Sequence, residues 1–136
     1  MIERYSHKEI APVWADKSRF EYWLDIEVAI CEALAELGEI PDASAKKIKK
    51  NAKIKLSRIH ELEETTKHEV VAFVNSILEQ IDEDACYFHF GVTSSDIMDT
   101  AFSLMLRDSL KLVIVEINSL ISEISKKAVA YKDLVC

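Results

Sequence analysis

"TSSDIMDTAFSLMLRDSLKLVIVEINSLISEISKKAVAY", residues 93–131, reads as one helix. No proline or glycine occurs from Ser95 to Tyr131. Leu106, Leu110, Val113, Ile117, Leu120, Ile124, Ala128 and Tyr131 recur at steps of three or four, with Val135 beyond them. That spacing collects apolar side chains on one side of a 3.6-residue turn. At 1.5 Å per residue the rod is roughly 55 to 60 Å long, well beyond the size of a compact domain of this length. Leu112, Ile114, Val115 and Ile121 widen the apolar surface past a two-stranded seam. The roughly ninety preceding residues cannot cover both sides of such a rod. The pattern therefore predicts burial in a multi-subunit helical bundle, or against further chain.

The rest of the sequence is also helical. Of 136 residues, 49% are hydrophobic and 30% charged, enough to bury a core, and only two glycines and two prolines are available for tight turns. The fold class is all-α. Asp16 precedes "KSRFEYWLDIEVAICEALAEL", whose apolar residues step by three and four until Gly38 stops the helix. Pro41 fits the first turn of a second helix over about 41–52. A third is expected over about 55–65. "TKHEVVAFVNSILEQI" carries Thr66 three residues before Glu69, the spacing of a capping box, and a buried stripe of Val70, Phe73, Val74, Ile77, Leu78 and Ile81. "DEDACYFHFG", 82–91, breaks the pattern and marks a junction between two structural regions.

The charge balance, 17 Lys and Arg against 24 Asp and Glu for a net −7, argues against a nucleic-acid surface, because phosphate backbones need clustered positive charge. Three unpaired cysteines, Cys31, Cys86 and Cys136, read as reduced thiols, with Cys31 packed in a helix. No apolar leader and no membrane-spanning run is visible, so a cytoplasmic protein without membrane contact is expected. Cys86 and His89 are three apart, but two ligands without a second pair do not make a metal site. His7 and His60 lie among charged residues and are expected to face solvent.

Two places put chemically capable side chains at a helix start, where free N–H groups and the dipole attract anions: "TTKHEV", 65–70, and "TSSD", 93–96. Each also has a purely architectural reading. Thr66 with Glu69, and Thr93 with Asp96, have capping-box spacing, which would leave Lys67, His68, Ser94 and Ser95 as first-turn residues. Arg4 and Tyr5, taken alone, read as a frayed terminus.

Three blocks in register, "MIERYS" at 1–6, "KHEVVAF" at 67–73 and "HFGVTSSDIMDTA" at 89–101, resemble the adenylosuccinate lyase family of the fumarase/aspartase superfamily. The resemblance covers essentially the whole chain and matches the family's amino-terminal region. It implies a small N-terminal helical domain over 1–92 and the start of a central domain of long helices over 93–136, in a homotetramer built around a helical core. It also implies a nucleotide substrate, succinyladenosine monophosphate cleaved to AMP and fumarate, with the equivalent elimination on a succinylated carboxamide intermediate of purine synthesis. No metal or organic cofactor is implied. By position, Arg4 and Tyr5 would bind the nucleotide phosphate, Lys67, His68 and Glu69 would line the substrate pocket, and Thr93 and Ser94 would hold a substrate carboxylate or phosphate. His89 would be supporting.

The family commonly carries arginine and aspartate where this chain has Lys67 and Glu69, so the fork of the one is lost and the reach of the other is longer by a methylene. The acid histidine and base serine implied by the resemblance fall after Cys136, and the long helix reaches the last residues without a stop signal, so residues 1–136 alone are expected to be inactive. A sister lyase acting on argininosuccinate or a carboxymuconate, and a non-catalytic helical oligomerisation module, remain alternatives.

Overall fold

The computed structural model describes residues 3–135; Met1, Ile2 and Cys136 lie outside the described residues. Five α-helices follow one another: α1 (Asp16–Glu36), α2 (Asp42–Asn51), α3 (Leu56–Thr66), α4 (Glu69–Ile81) and α5 (Ser94–Ala130), with short 3-10 turns at Glu3–Tyr5, Ala11–Trp14 and Asp82–Tyr87. No strand occurs among the described residues.

α1 stops where Gly38 requires it to. Gly38 sits at φ +77°, and a Schellman pattern closes the end: the Glu39 N–H donates to the Leu34 carbonyl at 2.9 Å and the Gly38 N–H to that of Ala35 at 3.0 Å. Pro41 then caps α2 from just outside, one residue earlier than the helix itself. α2 returns along α1, held at the surface by Lys49 on Glu32 at 2.7 Å. α3 and α4 form a tight helical hairpin, whose open end is tied by the Arg58 guanidinium bonding both Glu79 carboxylate oxygens.

The core lies where α1 meets α4. Phe20, Trp23 and Phe73 are all buried, with Trp23 edge-on to both Phe20 and Phe73, and Phe88 tilts against Phe73 at 6.2 Å. Arg19 opposite Glu69 and Trp23 opposite Phe73 set these helices parallel. α5 runs the other way along α1: Trp14 Nε1 donates to Ser109 Oγ at 2.9 Å, Tyr22 Oη to Asp108 Oδ2 at 2.8 Å, and Glu27 meets His89 just before α5 begins.

Only the first four turns of α5 are covered by the chain itself. Ile97, Ala101, Met105 and Ser109 are buried, whereas nearly everything after Ser109 is exposed, including Ile114, Ile117, Leu120, Ile121 and Ile124. The helix breaks at Tyr131, short of the Val135 step that the periodicity had included. Thirty-seven residues make a rod about 55 Å long. Among the described residues its outer half is bordered only by the N-terminal segment, as far as Leu120.

Candidate functional site

At the head of α5 the expected architecture is present. Thr93 is extended and caps the helix in a capping box with Asp96, and the Thr93 N–H donates to Asp96 Oδ2 at 2.9 Å. Ser94 is the first helical residue. With the Asp96 carboxylate engaged by the cap, the N–H groups of Ser94 and Ser95 have no partner among the described residues. Free first-turn amides and small hydroxyls on a helix's positive end are chemically suited to a carboxylate or phosphate.

The block 67–69 is built differently from the expected capping box. Thr66 is the last residue of α3, and Lys67 turns the chain in the left-handed region at φ 51° and ψ 27°. Its N–H still closes α3 on the Glu63 carbonyl at 2.9 Å. His68, extended at φ −146°, is the cap of α4: its Nδ1 accepts the Val71 N–H at 3.4 Å. Thr66 instead braces the corner, accepting from the His68 N–H and donating to the His68 carbonyl at 3.2 Å. Two helices abutting through two residues leave no room for a separate Thr66 cap. Because Nδ1 accepts, a neutral His68 carries its proton on Nε2, which has no partner among the described residues.

Glu69 is occupied. Its carboxylate meets Arg19 Nη1 at 2.5 Å, while the same guanidinium reaches Asp16 and lies over the rings of Phe20 and Trp23 at 4.8 and 5.3 Å. Arg19 and Trp23 also line a cleft of about 200 Å³ with Met98, Ala101, Phe102 and Met105 of α5. α4 thus begins beside the first turn of α1, where residues 98–105 of α5 also pack.

Arg4 and Tyr5 do not join them. Arg4 stacks over Tyr5 at 4.7 Å in the Glu3–Tyr5 turn, with Tyr5 exposed. The segment after them lies along α5: Trp14 meets Ser109, and His7, Glu9 and Ile10 face Leu112, Ile117 and Leu120 across a groove. Leu112 is eighteen residues beyond Ser94, or about 27 Å along the axis. Arg4 is three residues before His7, a reach of about 10 Å at most. Within one chain Arg4 therefore does not meet Thr93 or Ser94 directly. His7 and His60 face solvent as expected.

One pair escaped the sequence reading. Glu27 on α1 is wholly inaccessible to solvent, and its Oε1 lies 2.5 Å from Nδ1 of His89. Burial pushes the Glu27 carboxyl above its ordinary value, and the His89 contact pulls it part of the way back. Phe20, Trp23, Glu27, Cys31 and Leu34 step by three and four, so a glutamate on the apolar stripe was the available signal. His89 is left-handed at φ 59° and Gly91 at φ 74°, and together they swing the chain into α5. With Nδ1 engaged, and Cys86 Sγ bonded to the Glu83 carbonyl, these two residues are not arranged as a ligand pair. No group of three or more His, Cys, Asp or Glu converges as metal ligands among the described residues.

An all-helical chain that presents a capped, anion-suited helix head on a long, half-covered rod belongs to the lyase family, whose model matches residues 4–136. Its relatives narrow the comparison. The chain is 39% identical over 132 residues to the adenylosuccinate lyase of Staphylococcus saprophyticus, covering 97% of this chain and 31% of that one. It is 41% identical over 136 residues to the adenylosuccinate lyase of Aquifex aeolicus, covering 98% and 31%. Among solved structures it resembles a fumarate lyase from Mesorhizobium sp. BNC1, with 28% identity and a TM-score of 0.77 over 84% of this chain and 28% of that one. The chain spans under a third of the length of the curated relatives it matches. No helix of the described residues is long and apolar enough to cross a membrane.

Proposed function

We propose that this chain is the amino-terminal portion of an adenylosuccinate lyase, cleaving succinyladenosine monophosphate to AMP and fumarate and the succinylated aminoimidazole carboxamide ribotide in the same way. The observation carrying the reading is the capped head of α5, with Thr93 and Ser94 offering free first-turn donors, in a chain about 40% identical to adenylosuccinate lyases. The reaction is a β-elimination. A base takes the proton from the carbon next to a succinyl carboxylate, the C–N electron pair leaves with nitrogen, and an acid protonates that nitrogen. Negative charge builds on the carboxylate as the proton leaves, so preorganised donors lower the barrier.

Thr93 and Ser94 supply such donors to a substrate carboxylate or phosphate. His68 presents Nε2 to orient or polarise substrate, Lys67 and Glu69 frame it, and Arg4 and Tyr5 bind the nucleotide phosphate. Because one chain separates Arg4 from Thr93, the reading has Arg4 and Tyr5 act in a neighbouring subunit's site, within a cytoplasmic homotetramer assembled through α5. The acid histidine and base serine belong to sequence beyond residue 136. No metal or organic cofactor takes part. The domain boundary falls at residues 92 and 93.

The test is fumarate release by the full-length protein from each succinylated nucleotide, together with Arg4→Ala and His68→Ala. Turnover that falls at least tenfold in both variants supports the reading. Unchanged affinity and turnover would favour a non-catalytic oligomerisation module, and turnover by residues 1–136 alone near the complete enzyme's rate would refute the placing of acid and base.

A further inference from the structure

Two energetically unfavourable features meet at one contact between α1 and the turn before α5. Glu27 buries a carboxyl group completely, and only one of its oxygens is bonded: Oε2 is buried without a hydrogen-bond partner among the described residues. A half-satisfied buried carboxyl costs stability that an apolar residue of similar size would not. Its partner His89 is a non-glycine residue in the left-handed region, at φ 59°. Such features persist where the surrounding structure serves something besides stability. The contact stands four residues before Thr93, within the turn at 88–91 that leads into α5.

The contact also orders the imidazole. Whether the shared proton sits on Glu27 Oε1 or on His89 Nδ1, the hydrogen bond uses Nδ1 and leaves Nε2 as the available ring nitrogen. Part of the His89 side chain, 23%, remains accessible, against none of Glu27. A buried carboxylate that holds one imidazole nitrogen while the other faces outward is how a histidine is kept in a single orientation.

We propose that Glu27 is a positioning residue for the site at the head of α5: through His89 Nδ1 it fixes the turn that places Thr93 and Ser94, and it presents His89 Nε2 toward bound substrate. The proposal rests on the lyase reading for its kinetic consequence, not for its geometry. In the full-length protein, Glu27→Gln keeps the shape of the side chain and removes its charge. Its kcat/KM on succinyladenosine monophosphate is expected to fall about 10- to 100-fold, the scale of a small misplacement of a reacting group. The melting temperature should change by no more than a few degrees, because the amide oxygen can still accept from His89 and the second, unpartnered position stays unpartnered. In a His89→Ala background the same change should have no further effect, since both act through one contact.

A Glu27→Gln enzyme within twofold of wild type overturns the proposal. So do losses that multiply in the double variant, or a Glu27→Gln loss matched by a melting temperature several degrees lower, which is the mark of a merely structural residue. The geometry has its own readout. Wild type should show a far-downfield His89 ring N–H proton resonance that disappears in Glu27→Gln. If wild type turns over neither succinylated nucleotide, the lyase reading fails alone. In that case the resonance decides whether Glu27 holds His89: its presence supports the contact, its absence overturns it.

Discussion

The uncovered face of α5 makes a quantitative demand. Ile97, Ala101, Met105 and Ser109 form the stripe that α1 and the Ala11–Trp14 turn cover. One step around the helix, Phe102, Leu106, Leu110, Val113, Ile117, Leu120 and Ile124 form a second stripe at the same spacing, with 38 to 59% of each residue exposed. From Phe102 to Ile124 this face runs about 33 Å. Full burial of such a side chain is worth about 1.5–3 kcal/mol, so hiding the remaining half contributes about 1 kcal/mol each. The stripe therefore offers on the order of 7 kcal/mol per helix, enough to offset much of the cost of association. Leu110→Lys with Ile117→Lys, two turns apart on this face, removes about 2 kcal/mol of that and adds two ammonium groups whose burial costs several kcal/mol each. The assembly should weaken at least about a thousandfold, which corresponds to about 4 kcal/mol. Sedimentation velocity of the full-length protein over a concentration series is the assay, with Ser119→Lys, on the polar side of the helix, as the control. Helical circular dichroism establishes that the variant is folded. A wild-type monomer at micromolar concentration, or a double-lysine variant that assembles as tightly as wild type, would refute the reasoning.

Three further outcomes follow from particular contacts. Thr93→Ala removes the cap of α5 and should cost about 1 kcal/mol in denaturant unfolding, whereas Thr93→Ser should retain most of that stability. The Arg107, Lys111 and Tyr22 side chains around Asp108 hold its carboxyl well below the ordinary 3.8. That stabilisation is complete above the ordinary value and lost as pH falls below it, so Asp108→Asn should flatten the fall of the unfolding midpoint below about pH 4. Burial pushes the Cys31 thiol up to about 11, while Cys86 is exposed. Iodoacetamide at pH 8, followed by peptide mass mapping, should modify Cys86 well before Cys31 in the native protein and both at similar rates in denaturant.

Local signals carried most of the fold and part of the site. Gly38, the α4 stripe from Val70 to Ile81 and the Thr93–Asp96 box each depend on residues within about one or two turns, and each appears where the spacing put it. The α3–α4 corner was misread because lysine carries no sign that it will adopt a left-handed backbone. With Lys67 there, the cap passes to His68, and Thr66 becomes an end rather than a beginning. Glu27 was hidden for a different reason: its partner is sixty-two residues away, and only the packing of α1 against the turn before α5 brings them together. The separation of Arg4 from Thr93 was equally invisible, since it follows from the direction in which the N-terminal segment runs along α5.

The corner also bears on the two positions where this chain departs from the family's usual residues. A backbone turn at φ 51° is a demand on Lys67's main chain and is indifferent to the shape of its cation, so loss of the arginine fork leaves the corner intact. Glu69 is engaged by Arg19 at 2.5 Å, across the junction of α1 and α4. Its extra methylene lengthens the reach of that ion pair. His68 has one ring nitrogen that the fold leaves free, because the other is committed to the Val71 N–H, and the Lys67 ammonium has no partner among the described residues either. Substitution toward the commoner residues should therefore separate cleanly. Lys67→Arg alters what approaches the corner from solvent, Glu69→Asp loosens the clamp to Arg19, and neither replaces the one hydrogen bond that His68 Nε2 can make to a substrate.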